Sequence, residues 1–538
     1  MIVLEGKSVY KGIAIGTMNY YRKTEIAGKV YQVSDTEEEQ CRFEAGRQKA
    51  IEQLEELYNK ALEEIGSEEA LILQAHQLLL EDAEYLKHIK KIITEQKYNA
   101  EYAVLSASDY FAEIFSSMED EYLKERAADI RDVSERLLRA LGEEETEFKL
   151  AEPAIIAAED LAPSETVQLD RSKILSLITQ KGSVNSHTAI LARTMNIPAI
   201  IGVGEYLKPE FDGCQVIVDG FLGKVYVDPE EDLLQEYKEK QRTEEERRAA
   251  LNELIGKENR TKDGKQIDIF ANIGDLQDVN EALKNDAGGV GLMRSEFLYL
   301  NKMSFPSEEE QLAVYREVLK GMEGRKVIIR TLDIGADKQA EYFQLPKEEN
   351  PALGYRAIRI CLTRKEIFKT QLRALYRASV YGNLGIMFPM IISVEEIRAI
   401  KQILLEVKQE LTREALAYSD KIELGIMIET PAAAVISDLL AEEVDFFSIG
   451  TNDLTQYTTA IDRQNPILAS FQDPHHPAVL RLIKLTVENA HKKGIWVGIC
   501  GELAADTAMT ETFLEFGVDE LSVAPGMILE LRKAVREL

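Results

Sequence analysis

Residues 261–538 repeat one pattern, a short apolar segment followed by a stretch whose apolar residues recur at helical spacing. The pattern occurs eight times, and eight strand–helix units in about 280 residues are the expected size of a (β/α)₈ barrel. An open doubly wound sheet is the competing fold, but it seldom needs eight such units. The predicted strands cover residues 267–273, 290–294, 327–333, 384–390, 424–429, 446–452, 495–501 and 521–524.

Polar residues gather at the carboxyl ends of these predicted strands, where barrel enzymes carry their chemistry. A barrel core alone does not need arginines, acids, amides and a thiol at one rim, so this combination is the strongest functional signal in the sequence. The residues concerned are Asn272, Arg294, Arg330, Asp333, Glu429, Asn452, Asp453 and Cys500.

Part of this rim suits an anion and a hard cation. Arg294, Arg330 and Arg463 carry planar guanidinium groups that match phosphate and carboxylate oxygens. Glu429 and Asp453 end neighbouring strands, and Mg²⁺ takes one or two carboxylates together with substrate oxygens and water. A structural interpretation also exists, in which the arginines close the barrel by salt bridges and hold the two acids.

The thiol of Cys500 has two interpretations. A single cysteine is usually a small residue of the hydrophobic core. Beside a cation site, however, the thiol of Cys500 could give a proton to a carbanion-like product.

A second candidate centre lies around His187. The segment 182–193 runs from a glycine turn into an amphipathic helix, and Asn185 or Ser186 is a suitable N-cap. This places His187 in the first helical turn, where amide donors and the helix dipole would stabilise an anion on the imidazole. Neutral histidine is a competent nucleophile, although a lone histidine in a capping turn is more often structural.

The rest of the chain predicts a multidomain α/β protein. Residues 1–21 and 147–230 alternate strand and helix signals and form one α/β domain, with residues 22–146 inserted into it as an all-helical domain. Residues 231–260 mix both charges at helical spacing and predict an exposed helical linker to the barrel of 261–538.

Charge restricts the possible partners. The net charge of −30 opposes binding to nucleic acid or anionic membranes, since phosphate recognition needs basic patches. Residues 51–150 hold 25 acidic and 11 basic residues, a net of −14, which either forms solvated helix faces or a docking surface for a basic protein.

The compartment follows from two further patterns. The four cysteines are scattered without a CxxC pair, which is typical of a reducing cytoplasm. No apolar run is long enough to span a bilayer and no signal-peptide pattern is present, so we expect a cytoplasmic protein without membrane insertion.

Over essentially its full length the chain resembles enzyme I of the bacterial sugar phosphotransferase system, the phosphoenolpyruvate-protein phosphotransferases. Eight motifs in the same order carry the resemblance. They are SETVQLD at Ser164, SVNSHTAILAR around His187, GVGLMRSEFLY around Arg294, VIIRTLDIGADK through Lys338, NPALGYRAIRI around Arg356, GIMIETPAA around Glu429, FFSIGTNDLTQYTTAIDR through Arg463 and GICGELA around Cys500.

The resemblance implies a role for each part of the chain. His187 would accept the phosphoryl group of phosphoenolpyruvate on Nε2 and pass it to the histidine phosphocarrier protein HPr, docked on the helical domain. Cys500 would protonate enolpyruvate to pyruvate, Glu429 and Asp453 would hold Mg²⁺, and the barrels would join two chains into a homodimer. Substrate binding is implied for Arg294, Arg330, Asn452, Asp453 and Arg463, with Arg356 and Lys338 as secondary members of the anion site.

Three further residues would support the phosphohistidine domain. Thr166 would orient the imidazole by a hydrogen bond, and Asn185, where the family usually has Thr, can cap the helix as Thr does. Arg193 closes the same motif.

Two alternatives share parts of this pattern. A pyruvate phosphate dikinase or phosphoenolpyruvate synthase relative would share the histidine domain and the barrel, but needs an ATP-grasp domain for which the chain has neither space nor a glycine-rich motif. A non-enzymatic regulatory paralogue would keep the fold and only bind partners. The presence of Cys500 and Glu429 disfavours the second alternative.

Overall fold

The computed structural model describes residues 1–22, 30–64, 67–117, 121–142, 150–167, 169–182, 187–195, 197–300, 302, 304–335 and 340–538. The chain forms two compact units, Met1–Arg247 and Arg248–Leu538. The two units are described separately.

An eight-stranded mixed sheet forms the centre of the first unit. Its order is β1-β8-β7-β3-β4-β5-β6-β2, with β3 to β6 parallel and the outer pairs antiparallel. Ile, Val and Ala dominate the central strands, so both faces can be buried. The strands are β1 (Ile2–Glu5), β2 (Lys7–Tyr10), β3 (Ile13–Tyr21), β4 (Ala154–Ala158), β5 (Ile174–Thr179), β6 (Ala199–Ile201), β7 (Gln215–Asp219) and β8 (Lys224–Val227).

In the residues that the structure describes, five α-helices lie between β3 and β4 in the chain. Apolar residues at helical spacing give them one shared core that includes Phe43, Leu54, Ile89 and Leu137. Asp82 begins the third helix by accepting hydrogen bonds from two of its first-turn amides. The helices are α1 (Thr36–Glu64), α2 (Ser67–Glu81), α3 (Ala83–Glu95), α4 (Ala100–Ser116) and α5 (Glu121–Gly142).

Between β4 and the barrel, the described residues form three α-helices: α6 (Pro163–Thr166), α7 (His187–Met195) and α8 (Glu231–Asn252). The segment predicted as a linker is therefore mostly one helix, α8. Its Tyr237 is buried and donates a hydrogen bond to Asp219 Oδ2 at 2.7 Å, so its first turns are fixed to the sheet.

The second unit is a closed barrel of eight parallel strands, as the repeat predicts. Each strand pairs with the next in the chain, and β9 also pairs with β16. Alternating apolar side chains fill the space between strands and surrounding helices. The strands are β9 (Asp268–Ile273), β10 (Gly289–Arg294), β11 (Lys326–Arg330), β12 (Asn383–Phe388), β13 (Glu423–Ile428), β14 (Phe446–Ile449), β15 (Trp496–Ile499) and β16 (Glu520–Val523).

Helices surround the barrel, and two of the longest begin with capping boxes, Ser307 with Glu310 and Ser393 with Glu396. They are α9 (Gln277–Lys284), α10 (Phe297–Leu300), α11 (Glu308–Gly321), α12 (Ile358–Thr363), α13 (Lys365–Ala378), α14 (Val394–Arg413), α15 (Pro431–Val435), α16 (Ser437–Leu440), α17 (Thr451–Thr459), α18 (Pro477–Lys493), α19 (Thr510–Phe516) and α20 (Ile528–Glu537).

One strand boundary differs from the prediction in a way that concerns the site. The strand predicted for 446–452 ends at Ile449, and Asn452 and Asp453 lie in the first turn of α17. Gly450 separates the two elements, and periodicity cannot distinguish a last strand residue from a first helical turn. The bounds and roles predicted for the domains remain predictions.

Within the described part of the chain, no helix combines the length and the apolar character needed to cross a membrane.

Candidate active site

The carboxyl ends of the barrel strands surround a cavity of about 380 Å³. It contains cationic, anionic, amide and thiol groups on an apolar base. The lining residues are Leu292, Arg294, Arg330, Asp333, Met427, Glu429, Gly450, Asn452, Asp453, Arg463, Gln464, Cys500, Gly501 and Glu502. Of the eight residues predicted at the rim, all except Asn272 therefore line one cavity.

Arg330, the last residue of β11, is almost completely buried. It forms ion pairs with Glu296 and with Asp333, the latter at 3.0 Å from Nη1 to Oδ2. Burial acts against its charge, but these two carboxylates outweigh it and raise the pKa of Arg330 above its ordinary value. Its guanidinium is a fixed cation at the base of the cavity.

Arg356 is held by the same acid from the other side. Its Nη2 lies 2.9 Å from Asp333 Oδ1, and its Nη1 donates to the Tyr457 hydroxyl at 3.2 Å and lies 3.7 Å from Asp453 Oδ1. Asp333 therefore joins two buried arginines, and Arg356 lies behind the cavity rather than in its lining. This network of opposite charges resists rearrangement because breaking it would leave charges buried.

Two carboxylates face the cavity from neighbouring strand ends. Glu429 follows β13, and its Oε1 accepts the Met390 amide at 2.6 Å. Burial, followed by the charges of Asp453 and Asp333, raises the pKa of Glu429. Asp453 Oδ1 is buried and has no hydrogen-bond partner among the described residues. Both acids would be stabilised by a cation between them.

The open side of the cavity is polar. Asn452 and Glu502 exchange two hydrogen bonds, from Nδ2 to Oε1 at 3.1 Å and from the Glu502 amide to Oδ1 at 3.0 Å. Arg463 has 36% of its side chain exposed and lies 3.7 Å from Asp453 Oδ2. Asn452, Arg463 and Glu502 also line a second cavity of about 370 Å³ beside the first.

Arg294, at the end of β10, pairs in register with Arg330 of β11. It is exposed and makes no ion pair with any residue that the structure describes. Its charge is therefore available to an anion in the cavity.

Cys500 follows β15 and is 4% exposed. Burial raises the pKa of its thiol to about 12, so the group carries its proton at neutral pH. Asn272 donates to the Cys500 carbonyl and to that of Ser522, both at 3.0 Å, and thereby fixes the backbone around the thiol.

The segment around His187 is described only in part. His187 is the first residue of α7, in the first turn as the sequence predicts, but its side chain lies outside what the structure describes. Thr166 is buried at the end of α6, which packs against α7, and Arg193 is in the last turn of α7. The predicted residues Asn185 and Lys338 lie outside the described residues.

Some residues of the site were not singled out by the sequence. Glu296, the buried partner of Arg330, lies two residues after Arg294 in the same motif, and Glu502 lies two after Cys500. Their positions in these motifs could have indicated them. Tyr457, which hydrogen-bonds Arg356, sits within a helix and gave no such signal.

Comparisons with known proteins agree with this arrangement. Models of phosphoenolpyruvate-utilising enzymes match residues 5–126 (N-terminal domain), 150–223 (mobile domain) and 248–538 (phosphoenolpyruvate-binding domain). The barrel and its rim thus belong to a phosphoenolpyruvate-utilising enzyme.

The relatives identify the family. The chain is 46% identical over 537 residues to the phosphoenolpyruvate-protein phosphotransferase of Bacillus sp. (strain S), covering 99% of this chain and 93% of that protein. It is 42% identical to that of Haemophilus influenzae, covering 100% and 94%. A solution NMR structure of an Enzyme I protein is 36% identical, covering 45% of this chain and 99% of that chain, with a TM-score of 0.40. This chain belongs to the phosphoenolpyruvate-protein phosphotransferase family.

Proposed function

We propose that this enzyme moves the phosphoryl group of phosphoenolpyruvate to its own His187 and then to a histidine of HPr, releasing pyruvate, as the first step of sugar uptake. The observation that carries the proposal is the rim cavity, which is lined by three arginines, four carboxylates, those of Glu429 and Asp453 among them, and a protonated thiol. Conversion of phosphoenolpyruvate requires a site that binds a small dianion or trianion and a metal, and that supplies a proton donor.

The arginines bind the substrate. Arg330 supplies a buried charge held in one orientation, while the more exposed Arg294 and Arg463 can close on phosphate or carboxylate oxygens. The Asn452 amide adds a neutral donor beside Arg463. Arg356 adds positive charge behind this group, and the family resemblance gives Lys338 a secondary role in binding the anion.

Glu429 and Asp453 would hold Mg²⁺. Asp453 Oδ1 accepts no hydrogen bond from a described residue, and the nearby charge of Asp453 helps to raise the pKa of Glu429, so the two carboxylates fit a shared cation. Two carboxylates would leave the remaining ligands of Mg²⁺ to substrate and water. When bound, Mg²⁺ would neutralise charge on the phosphate and carboxylate oxygens.

His187 and Cys500 would supply the nucleophile and the proton that the reaction needs. His187 Nε2 attacks phosphorus, a P–N bond forms, and the P–O bond to the enol oxygen breaks. The electron pair left on enolpyruvate takes the proton of the Cys500 thiol at the methylene carbon, which gives pyruvate. Thr166, Asn185 and Arg193 would orient and cap the segment that carries His187.

Phosphohistidine would then pass its phosphoryl group to HPr on the helical domain. The excess of acidic residues in segment 51–150 supports a basic partner because opposite charge speeds encounter. Homodimerisation through the barrels is part of the same proposal and rests on the family alone.

Transfer to purified HPr tests the proposal. Labelled phosphoenolpyruvate, Mg²⁺, catalytic amounts of the protein and HPr should give labelled HPr and one pyruvate per label. His187→Ala should give neither product, and Arg330→Met should show a strongly raised KM for phosphoenolpyruvate. Equal labelling of HPr by His187→Ala would contradict the assignment.

A parallel reaction with labelled ATP distinguishes the dikinase alternative. The proposal expects no label on the protein from ATP under conditions in which phosphoenolpyruvate labels it. Label from ATP that depends on His187 would favour the dikinase class.

A further inference from the structure

A buried amide lies directly behind the two strand ends that carry Arg294 and Arg330. Gln371 of α13 is fully buried, and its Oε1 accepts the Leu332 amide at 2.9 Å. Its Nε2 donates to Ser295 Oγ at 3.0 Å and to the Tyr315 hydroxyl at 3.2 Å. The amide of Gln371 therefore contacts the segments that follow both β10 and β11.

Ser295 continues this connection to the neighbouring strand. It follows Arg294 directly, is fully buried, and donates from Oγ to the Arg330 carbonyl at 2.7 Å. One hydroxyl and one amide thus join the backbone after Arg294 to the backbone of residues 330–332.

The hydrogen bonds of Ser295 and Gln371 lie just beyond the last paired residues of β10 and β11. The β10–β11 ladder closes with Arg294 opposite Arg330, and the backbone just beyond Arg330 is held on its other side by the Thr331 amide, which donates to the Met387 carbonyl of β12 at 2.9 Å. The Ser295 and Gln371 bonds fix the separation and direction of both strand ends at that point. A displacement of about 1 Å at a substrate-binding group can cost roughly 100-fold in rate, so this separation matters for function.

A purely structural role would not need an amide at this position. An apolar side chain could fill a buried helix position facing the barrel, whereas a buried amide is tolerated only when its donors and acceptor are bonded. Here two of the three bonds of Gln371 go to residues next to the two arginine-bearing strand ends, and the third goes to the Tyr315 hydroxyl of α11. Buried and satisfied polar groups of this kind specify one arrangement.

We propose that Gln371 and Ser295 are positioning residues that hold Arg294 and Arg330 at the spacing required to bind phosphoenolpyruvate. The inference rests on the proposed function. It adds two residues that touch neither substrate nor metal and act through the arginines.

The same network contains a matched control. Gln311 of α11 is equally buried, and its Oε1 accepts the Tyr299 and Tyr315 hydroxyls at 3.1 Å each, while its Nε2 donates to the Pro306 carbonyl at 3.1 Å. It makes no hydrogen bond to either arginine-bearing strand end. Loss of its amide should disturb packing to a similar extent without changing the arginine spacing.

The test compares Gln371→Leu and the milder Ser295→Ala with Gln311→Leu in the full-length enzyme. KM and kcat for pyruvate formation from phosphoenolpyruvate are measured beside the thermal unfolding midpoint. The expected result is a KM raised about 10-fold or more in Gln371→Leu and several-fold in Ser295→Ala. Gln311→Leu should keep the wild-type KM at a similar loss of thermal stability.

Two results would overturn the inference. The KM could stay within twofold of wild type in both test variants, or Gln311→Leu could raise it as much as Gln371→Leu does. A wild-type protein that converts no phosphoenolpyruvate would contradict the proposed function as well, so the two failures are distinguishable.

Discussion

Two thiols of the barrel unit are buried to a similar extent but have different surroundings. Cys500 lines the rim cavity, whereas Cys361 packs in the core between strands and helices. Burial raises the pKa of both thiols, so both are protonated at neutral pH. Only Cys500 is positioned to give its proton to a ligand in the cavity.

Replacement of these cysteines separates proton donation from packing. Cys500→Ala should lower the rate of pyruvate formation by roughly 100- to 10,000-fold because a general acid is lost, with little change in KM for phosphoenolpyruvate. Cys361→Ala should keep a rate near that of wild type. Steady-state pyruvate assays check both, and an active Cys500→Ala enzyme would remove the thiol from the mechanism.

Glu520 is a buried acid inside the barrel with no role in the proposed reaction. It fits because its neighbours lack side chains: a Cβ on Gly498 would lie 2.0 Å from Oε2, and one on Gly291 would lie 2.6 Å from Oε1. Burial raises the pKa of Glu520 well above its ordinary value, so the folded protein keeps it protonated.

This raised pKa makes the barrel less stable as the pH rises. Below pH 4.5, the ordinary glutamate value, both states carry the proton; above it only the folded state does, so folding stability falls until the folded pKa is reached. Glu520→Gln should therefore gain stability over wild type with rising pH, by up to roughly 1.4 kcal/mol per pH unit.

The single tryptophan, Trp496 in β15, reports this unfolding by fluorescence in guanidinium. Denaturation at several pH values from 5 to 9 gives the difference between wild type and Glu520→Gln. A difference that does not change with pH would show that Glu520 ionises normally in the folded state.

For single residues, the sequence predicted which side chains gather at the barrel rim, but not which acid pairs with which arginine. Glu429, Asp453, Cys500 and the arginines could be found because the ends of barrel strands converge wherever such a barrel forms. Glu296 could not be assigned to Arg330, since it lies in a loop whose path depends on packing rather than on periodicity.

Among the elements, α2 and α5 are joined by a buried histidine. His76 of α2 is fully buried, with Nε2 3.4 Å from Asp129 Oδ1 and Nδ1 3.7 Å from Asp132 Oδ2. The two aspartates are three residues apart and lie on one face of α5. The imidazole of α2 thus lies buried between two acids of α5.

His76→Ala should loosen this helix pair. Removing one partner of a buried polar cluster costs roughly 3 kcal/mol, so amides of α2 and α5 should exchange with deuterium about 100-fold faster. His491→Ala is the control, because His491 pairs with Asp519 at 2.9 Å on the exposed surface and such pairs contribute little. Unchanged exchange in α2 of His76→Ala would show that the cluster does not hold the helices.

Element prediction succeeded where the sequence pattern was long or repeated. All eight barrel strands were found, since each is a short apolar run followed by polar residues. The strand β6 was missed because it has only three residues, Ala199–Ile201, after Pro198. The start of α17 was placed in a strand because apolar content continues up to Gly450.

Over the whole molecule, pairing between distant segments was the least predictable feature. β1 pairs with β8 and β2 with β6, contacts that join residues about 200 positions apart in sequence. No local pattern encodes such pairs, because they depend on the complete sheet. Barrel closure was predictable only because eight units leave one compact arrangement.

In the proposed reaction, the rim cavity activates phosphoenolpyruvate for transfer of its phosphoryl group to one histidine. The most direct test of this transfer is to incubate the protein alone with Mg²⁺ and labelled phosphoenolpyruvate and to locate the label by peptide mass analysis. We expect label that is labile to acid and stable to alkali, on His187 and in no other peptide, and none in His187→Ala. Wild-type protein that takes up no label, or equal labelling of His187→Ala, would contradict the account.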